Sequence, residues 1–285
     1  MTTLRLTQAP GRLTRQGLEL AHALGLLLII GTILLPIFWI GLTAFKEPRD
    51  VYSLSSALSF VPTLDNFRTV FAHPWNLGSK ILNSVIVACG TVLLCIPMAT
   101  LAAYGFSRYS FPLKRTLFLV VIASQFIPSA VVVLPYFLMF KEWGLLDTRF
   151  ALVLVNISIV MPYAVWMIKG FIDAVPIEIE ESAMVDGAAR WRVLWEIVVP
   201  VAWPGIITAA VFSFTLTWNE FLFSIILGKQ DALTLPIGLI GFRTERGDLW
   251  ELMAAGGLII IVPMFVLSLL MQKHFIGSLT AGSSR

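Results

Sequence analysis

A polar segment with a helical pattern lies between two long apolar runs at residues 178–205, which read EIEESAMVDGAARWRVLWEIVVPVAWPG. It holds five acidic residues and two arginines, although only 13% of the residues in the chain are charged. Pro176 suits the first turn of a helix, so Glu178, Glu180 and Glu181 are expected near the positive end of that helix, where acids are favourable. The segment either docks on another surface or is a solvated loop whose charges keep it out of a bilayer.

Gly187 predicts a break or a tight turn after this acidic helix. A second short helix is predicted over 189–198, where large apolar side chains recur at i, i+3, i+4 and i+7 and form one stripe: Trp191, Leu194, Trp195 and Val198. Its two tryptophans favour a position at a membrane interface, and Arg192 can pair with Glu196 on another face. Pro200 is expected to end this helix and to begin the next apolar run.

Four polar side chains in or beside the apolar runs are candidates for contact with a polar solute: Gln125, Asn156, Asn219 and Glu220. An ionisable residue at the edge of a charge-free run is a functional hypothesis by default, which applies to Glu220. The three amides can hydrogen-bond a hydroxylated solute, or they can hydrogen-bond neighbouring helices instead. Glu220 can equally pack against a partner subunit or lie at the outer boundary of a membrane.

The chain lacks the residues that several other kinds of chemistry require. No GxxxxGK[ST] motif is present, so the chain is not expected to hydrolyse ATP by itself. No Ser/His/Asp or Cys/His arrangement supplies a nucleophile, and no cluster of His, Cys and carboxylates has metal-ligand spacing. A net charge of +3 without a basic patch argues against nucleic acid as a partner. We therefore predict that the chain is not an enzyme and binds no cofactor or metal of its own.

The elements that carry these residues are predicted to be membrane-spanning helices. Hydrophobic residues make up 58% of the chain, above the 45–50% typical of soluble domains. Six charge-free runs each reach the roughly 20 residues that a spanning helix needs: 20–45, 81–107, 116–140, 150–169 up to its final lysine, 197–219 and 252–272. Backbone groups cannot remain unpaired in lipid, so each run should be helical. Prolines inside these runs predict kinks: Pro36, Pro97, Pro128, Pro135, Pro162 and Pro263.

The distribution of basic residues predicts the orientation of these spans. Residues 1–17 contain three arginines and no acid, and the short loop RYSFPLKR at 108–115 contains two arginines and a lysine. The excess of Lys and Arg in cytoplasmic loops places both segments in the cytoplasm. Six spans then place the loop at about 170–203 and the C-terminus there too. We predict a cytoplasmic segment at 1–19, a six-helix transmembrane domain at 20–272 and a cytoplasmic tail at 273–285.

The loop resembles the EAA loop of ABC importer permeases, whose pattern is EAA, three residues, Gly, nine residues, Ile, any residue, Leu, Pro. The matching residues are Glu181, Ser182, Ala183, Gly187, Ile197, Val199 and Pro200. Ser182 stands at the first alanine of the pattern, and Val199 replaces the leucine. The resemblance implies that the loop couples the chain to an ATPase through Glu181, Ser182, Ala183, Asp186, Gly187, Ile197 and Pro200.

Three further stretches resemble the carbohydrate-uptake branch of that family, the MalG-like subunits: NSVIVACGTVLLCIPMATLAAYGFSR, LTWNEFLF and MQKHFIGSLTAG. The resemblance covers roughly residues 20–282. It implies an all-α type I importer permease fold in a bacterial inner membrane, paired with a second, homologous permease. Two ATP-binding subunits would hold ATP and magnesium, and an extracytoplasmic binding protein would deliver a sugar or polyol. Residues 279–282 match the family's C-terminal tail, whereas 283–285 do not continue its pattern.

Two other functions are alternatives to an importer permease. A self-sufficient secondary transporter or channel usually needs several buried acids or broken helices near the midplane, and this chain offers one marginal acid. A non-transporting scaffold would explain the spans but not the spacing of the loop. The six runs contain no arginine, which favours a neutral solute over a phosphorylated one.

Overall fold

The computed structural model describes residues 12–245 and 247–282, with side chains described from 19 to 269 apart from residue 246. The N-terminal residues up to 11, which belong to the predicted cytoplasmic segment, and residues 283–285 of the predicted tail lie outside the described residues. Within that part of the chain the α-helices are α1 (Arg12–Ala44), α2 (Pro48–Val51), α3 (Asp65–Phe71), α4 (Leu77–Arg108), α5 (Lys114–Ala123), α6 (Ser129–Glu142), α7 (Arg149–Asp173), α8 (Ile177–Val185), α9 (Arg190–Val193), α10 (Val199–Trp218), α11 (Leu222–Leu227), α12 (Leu235–Ile240) and α13 (Trp250–Gly282). Two short antiparallel strands, β1 (Arg243–Thr244) and β2 (Gly247–Asp248), precede α13.

Five of the described helical segments are long and apolar enough to cross a membrane, and they match five of the six predicted spans. They are Glu19–Ala44, Leu77–Arg108, Arg149–Asp173, Arg190–Trp218 and Trp250–Leu269. A sixth span exists if the bent pair formed by α5 and α6 counts as one crossing. The chain is therefore a helical, multi-pass membrane protein.

The third predicted span, 116–140, is broken rather than merely kinked. The segments Lys114–Phe126 and Ser129–Glu142 meet at an angle of 95°. Ile127 is extended, with φ −75° and ψ 116°, because a residue that precedes proline avoids the helical region. Pro128 thus separates two half-helices, whereas the other five prolines predicted to kink the spans lie inside continuous helices.

The core of the bundle is made by α4, α7 and α10, which pack closely because small side chains line their contacts. Ala99 and Ala103 of α4, Ala164 of α7 and Ala209 of α10 are fully or almost fully buried in one apolar cluster. Gly205 of α10 lies against the Phe171 ring, and a Cβ at this glycine would fall 2.0 Å from a ring carbon. Small residues of this kind let helices approach closely in membranes, where helix association depends on packing.

The helix α1 lies at the periphery of this bundle and packs on α13. None of the most apolar part of its spanning segment is buried inside the chain. In the isolated chain α1 therefore presents its apolar side chains to lipid or to a partner subunit.

The bundle has a loop end, which carries residues 174–189, and an opposite end, where Asp147 ties two loops together. The Asp147 carboxylate accepts backbone N–H bonds from residues 229 to 232 at 2.8–3.2 Å, and Asp147 N–H donates to Leu227 O at 2.8 Å. Nearby, Asn83 Nδ2 donates to Asp231 O at 2.7 Å and Arg149 Nε donates to Asn83 Oδ1 at 2.7 Å. Partial burial raises the pKa of Asp147, but the backbone N–H groups outweigh it and leave that pKa below its usual value.

We predict that Asp147→Asn loosens the 229–232 loop, because an amide NH₂ would face backbone donors that the carboxylate now accepts. Amide hydrogen exchange at 229–232 should speed up, while Asp231→Asn, which changes an exposed neighbouring side chain, should have no effect. The native pKa is depressed, so the stabilisation is present above the unfolded pKa of about 4 and is lost as pH falls through the native pKa. The stability difference between wild type and Asp147→Asn should therefore shrink below about pH 4. A difference that stays constant with pH would contradict this role.

Candidate functional site

The predicted acidic helix is α8, and its C-terminus is closed at Gly187 by a Schellman motif. Ala188 N–H donates to Ala183 O at 3.0 Å, and Gly187 N–H donates to Met184 O at 3.1 Å. Gly187 has φ +90°, which a residue without a Cβ adopts at little cost. A Cβ at this position would meet no atom within 4 Å, so the constraint is the backbone conformation and not space.

The second helix of the loop does not end at Pro200, and this prediction was wrong. The helix runs without a break from Arg190 to Trp218, through a π-helical turn over Leu194–Val198. Val199 N–H reaches back five residues to Leu194 O, and this wider turn absorbs the N–H that Pro200 cannot donate. The second helix of the loop, α9, is therefore continuous with the spanning helix α10, whereas α8 is separated from it by the Gly187 turn.

The apolar stripe of this helix mostly faces the bundle and not a membrane interface. Leu194 and Val198 are buried in the cluster formed by α4, α7 and α10, and Trp195 packs against it. Only Trp191 is largely exposed, with 63% of its surface accessible. The predicted pairing of Arg192 with Glu196 is confirmed, with Nε 2.9 Å from both carboxylate oxygens.

Two adjacent glutamates of α8 lie in different environments. Glu180 is only 2% exposed, and its carboxylate accepts hydrogen bonds from Tyr104 Oη at 3.0 Å and from Arg108 Nε at 2.5 Å. Glu181 is exposed. The sequence pattern predicts both, with Glu178, as acids near the N-terminus of the helix and does not by itself indicate this division. The signal for it was the spacing of Glu180 to Ala183 and Met184, which at i+3 and i+4 define the inward face.

The residues predicted to couple to an ATPase divide between the two faces of the loop. Exposed members are Glu181, Ser182, Asp186, Gly187 and Pro200, whereas Ala183 and Ile197 are half-buried against the core. The exposed face also carries apolar side chains, with Val185 87% and Ile177 47% accessible. The loop therefore presents acids beside apolar groups, an arrangement that suits a protein surface better than a purely solvated loop.

The four predicted solute-contact residues are not brought together by any hydrogen bond between them in the described part of the chain. Asn156 is buried and donates to Leu152 O at 2.8 Å, and Asn219 donates to Thr215 O at 2.8 Å. Glu220 accepts N–H bonds from Phe223 at 2.7 Å and Ser224 at 3.2 Å, which holds the first turn of α11. Gln125 lies half-buried at the break between α5 and α6. Their role in a solute pathway stays a prediction.

The cysteines and other metal-binding side chains in the described part of the chain bear on the prediction that no metal is bound. Within the described residues, no group of three or more His, Cys, Asp or Glu side chains could hold a metal ion. Cys89 is exposed and Cys95 is buried, and neither forms a disulfide.

Comparison with solved structures gives the class of fold. The chain matches a subunit of a bacterial ABC transporter involved in import of the acidic polysaccharide alginate, with a TM-score of 0.76 over 94% of this chain and 100% of that one. At 19% identity this likeness shows the fold alone, which is that of an ABC importer permease.

The chain belongs to the binding-protein-dependent transport system inner membrane components, whose sequence profile matches residues 77–275. Similar proteins include the diacetylchitobiose uptake system permease NgcG of Streptomyces coelicolor, 28% identical over 99% of this chain and 93% of the relative. The trehalose transport system permease SugB of Mycobacterium tuberculosis is 29% identical over 90% and 94%, respectively. The inner membrane ABC transporter permease YcjP of Escherichia coli is 31% identical over 90% and 93%.

We predict that Gly187→Ala destabilises the end of α8 by about 1 kcal/mol, because alanine disfavours a positive φ. Amide exchange at residues 186–188 should therefore speed up. Gly170→Ala is the matched control, because a Cβ at this helical glycine also meets no atom within 4 Å and its φ is not positive. Equal exchange in both variants would show that the turn tolerates a side chain.

Proposed function

We propose that this chain is one permease of an ATP-driven importer and that the α8–α9 loop docks on the ATPase subunit. The observation that carries the proposal is the two-faced arrangement of α8, with Glu180 held by the bundle and Glu181 exposed beside Ser182, Asp186 and Gly187. Membership of the binding-protein-dependent family supports the importer function. ATP and magnesium would be held by the ATPase and not by this chain.

The solute is a neutral sugar or polyol, delivered by an extracytoplasmic binding protein. Relatives named for diacetylchitobiose and trehalose uptake support a carbohydrate, and the absence of arginine from the six apolar runs supports a neutral one. The break between α5 and α6 places Gln125 where freed backbone groups must find other partners, which suits a polar pathway. Asn156, Asn219 and Glu220 complete the proposed set.

The loop end faces the cytoplasm. Arg108 opens the basic segment 108–115 and contacts Glu180, so the basic segment and the α8–α9 loop share one end of the bundle. The excess of basic residues in cytoplasmic loops then orients both inward. In this orientation 1–19 and 273–285 are cytoplasmic and 20–272 is the transmembrane domain of a bacterial inner-membrane protein.

The complete importer contains a second, homologous permease and two ATP-binding subunits. Membership of the binding-protein-dependent transport family supports this assembly, and the unburied apolar surface of α1 leaves room for a partner beside the lipid. The binding protein would dock at the opposite end, where Asp147 fixes the loops.

A self-sufficient transporter or channel is the second candidate, and the observation that favours it is the broken α5–α6 pair. Carriers of that kind use broken helices around a central site. To separate the two, vesicles containing only this chain are tested for uptake of trehalose and of diacetylchitobiose, with and without ATP. We expect no uptake, because the chain has no nucleotide-binding motif, whereas uptake by the isolated chain would establish the second candidate. Vesicles with the complete importer serve as the positive control.

We predict that Glu181→Lys reduces co-purification of the ATPase about ten-fold or more, because it reverses a charge on the docking face. Insertion into the membrane should be unchanged, since Glu181 is exposed and lies outside the bundle. Glu142→Lys makes the same charge change at the exposed end of α6, at the opposite end of the bundle, and should leave ATPase association intact. Normal association of Glu181→Lys would mean that the loop is only a solvated connector.

A further inference from the structure

Arg108 and Glu180 form a buried ion pair. Because the pair is buried, it cannot itself contact a protein that docks on the exposed face of the loop. Arg108 Nε lies 2.5 Å from Glu180 Oε1, and their side chains are only 11% and 3% exposed. Tyr104 Oη donates a second hydrogen bond to the Glu180 carboxylate, at 3.0 Å from Oε2. Hydrogen bonds between ionised partners are short and strong, and removal of one partner from a buried pair leaves an uncompensated charge.

The same arginine also joins α7. Arg108 Nη2 donates to Ile172 O, in the last turn of α7, at 2.9 Å and to Val175 O, just beyond that helix, at 2.8 Å. Beside it, Ser107 Oγ donates to Asp173 Oδ1 at 2.6 Å. One guanidinium therefore fastens the ends of α4 and α7 to the docking helix α8.

We propose that Arg108 and Glu180 are positioning residues that carry a displacement of α8 into α4 and α7. The proposal rests on the docking function of the loop. It assigns different roles to two adjacent side chains: Glu181 contacts the ATPase, and Glu180 transmits the movement of α8 to the bundle. A buried pair cannot lengthen without exposing two unpaired charges, so α8 and the two helix ends move together. The exposed Arg192–Glu196 pair lies within one helix and transmits nothing between elements.

The test is Glu180→Gln in the assembled importer, because glutamine keeps the volume and an acceptor oxygen but leaves the Arg108 charge unpaired. Two quantities are measured: co-purification of the ATPase, and the change in amide exchange at residues 101–108 and 169–175 when ATP, magnesium and orthovanadate are added. We expect normal ATPase association and loss of the nucleotide-dependent change. Glu196→Gln breaks the exposed pair and should preserve both quantities.

An unaltered nucleotide-dependent change in Glu180→Gln would overturn the proposal, and so would loss of ATPase association, since the pair would then only support the docking face. If Glu180→Gln does not reach the membrane, Tyr104→Phe, which removes one neutral hydrogen bond, is judged by the same two criteria and should show a reduced change at normal association. Failure of the docking function itself would appear separately, as a wild-type permease that does not retain the ATPase.

Discussion

A peptide N–H or C=O group that lies in hydrocarbon without a partner costs several kcal/mol, and this cost determines most of the structure between residues 19 and 269. It requires helices through the apolar runs, and it makes every interruption of a helix a place that needs other hydrogen-bond partners. Pro200 and Pro128 show two outcomes of the same constraint. A π turn keeps the helix continuous at Pro200, whereas the chain at Pro128 turns by 95°.

The positions of the spans could be predicted from the sequence because charge-free runs of about 20 residues have few alternatives in a membrane protein. The Gly187 turn was also predictable, since its cause is local backbone chemistry. The continuous helix through Pro200 was not, because local proline rules do not indicate when a π turn will absorb the missing donor. The buried pair was missed for a different reason: Arg108 and Glu180 are 72 residues apart, and no local pattern joins them.

The loop end shows how one short helix can serve two surfaces. Successive residues on a helix differ by about 100° in direction, so neighbouring glutamates cannot both face the bundle. Glu180 shares its face with Ala183 and Met184, which pack against the core, while Glu181 is left exposed. If the loop docks on the ATPase as proposed, this segment combines an anchoring face with a docking face. The small side chain of Ala183 brings α8 close enough for Glu180 to reach the end of α4.

Directional polar contacts in this bundle are concentrated at its two ends, with Arg108 at one and Asp147 at the other. In the described residues of the helices themselves, Thr91 of α4 and Ser213 and Thr217 of α10 are buried without a hydrogen-bond partner. Packing of small side chains can shift without breaking a directional bond, whereas the end networks cannot. A displacement at the loop end would therefore move whole helices through the bundle, and local rearrangement at that end would not absorb it. An importer that changes the access of a pathway from one side of the membrane to the other requires this mechanical property.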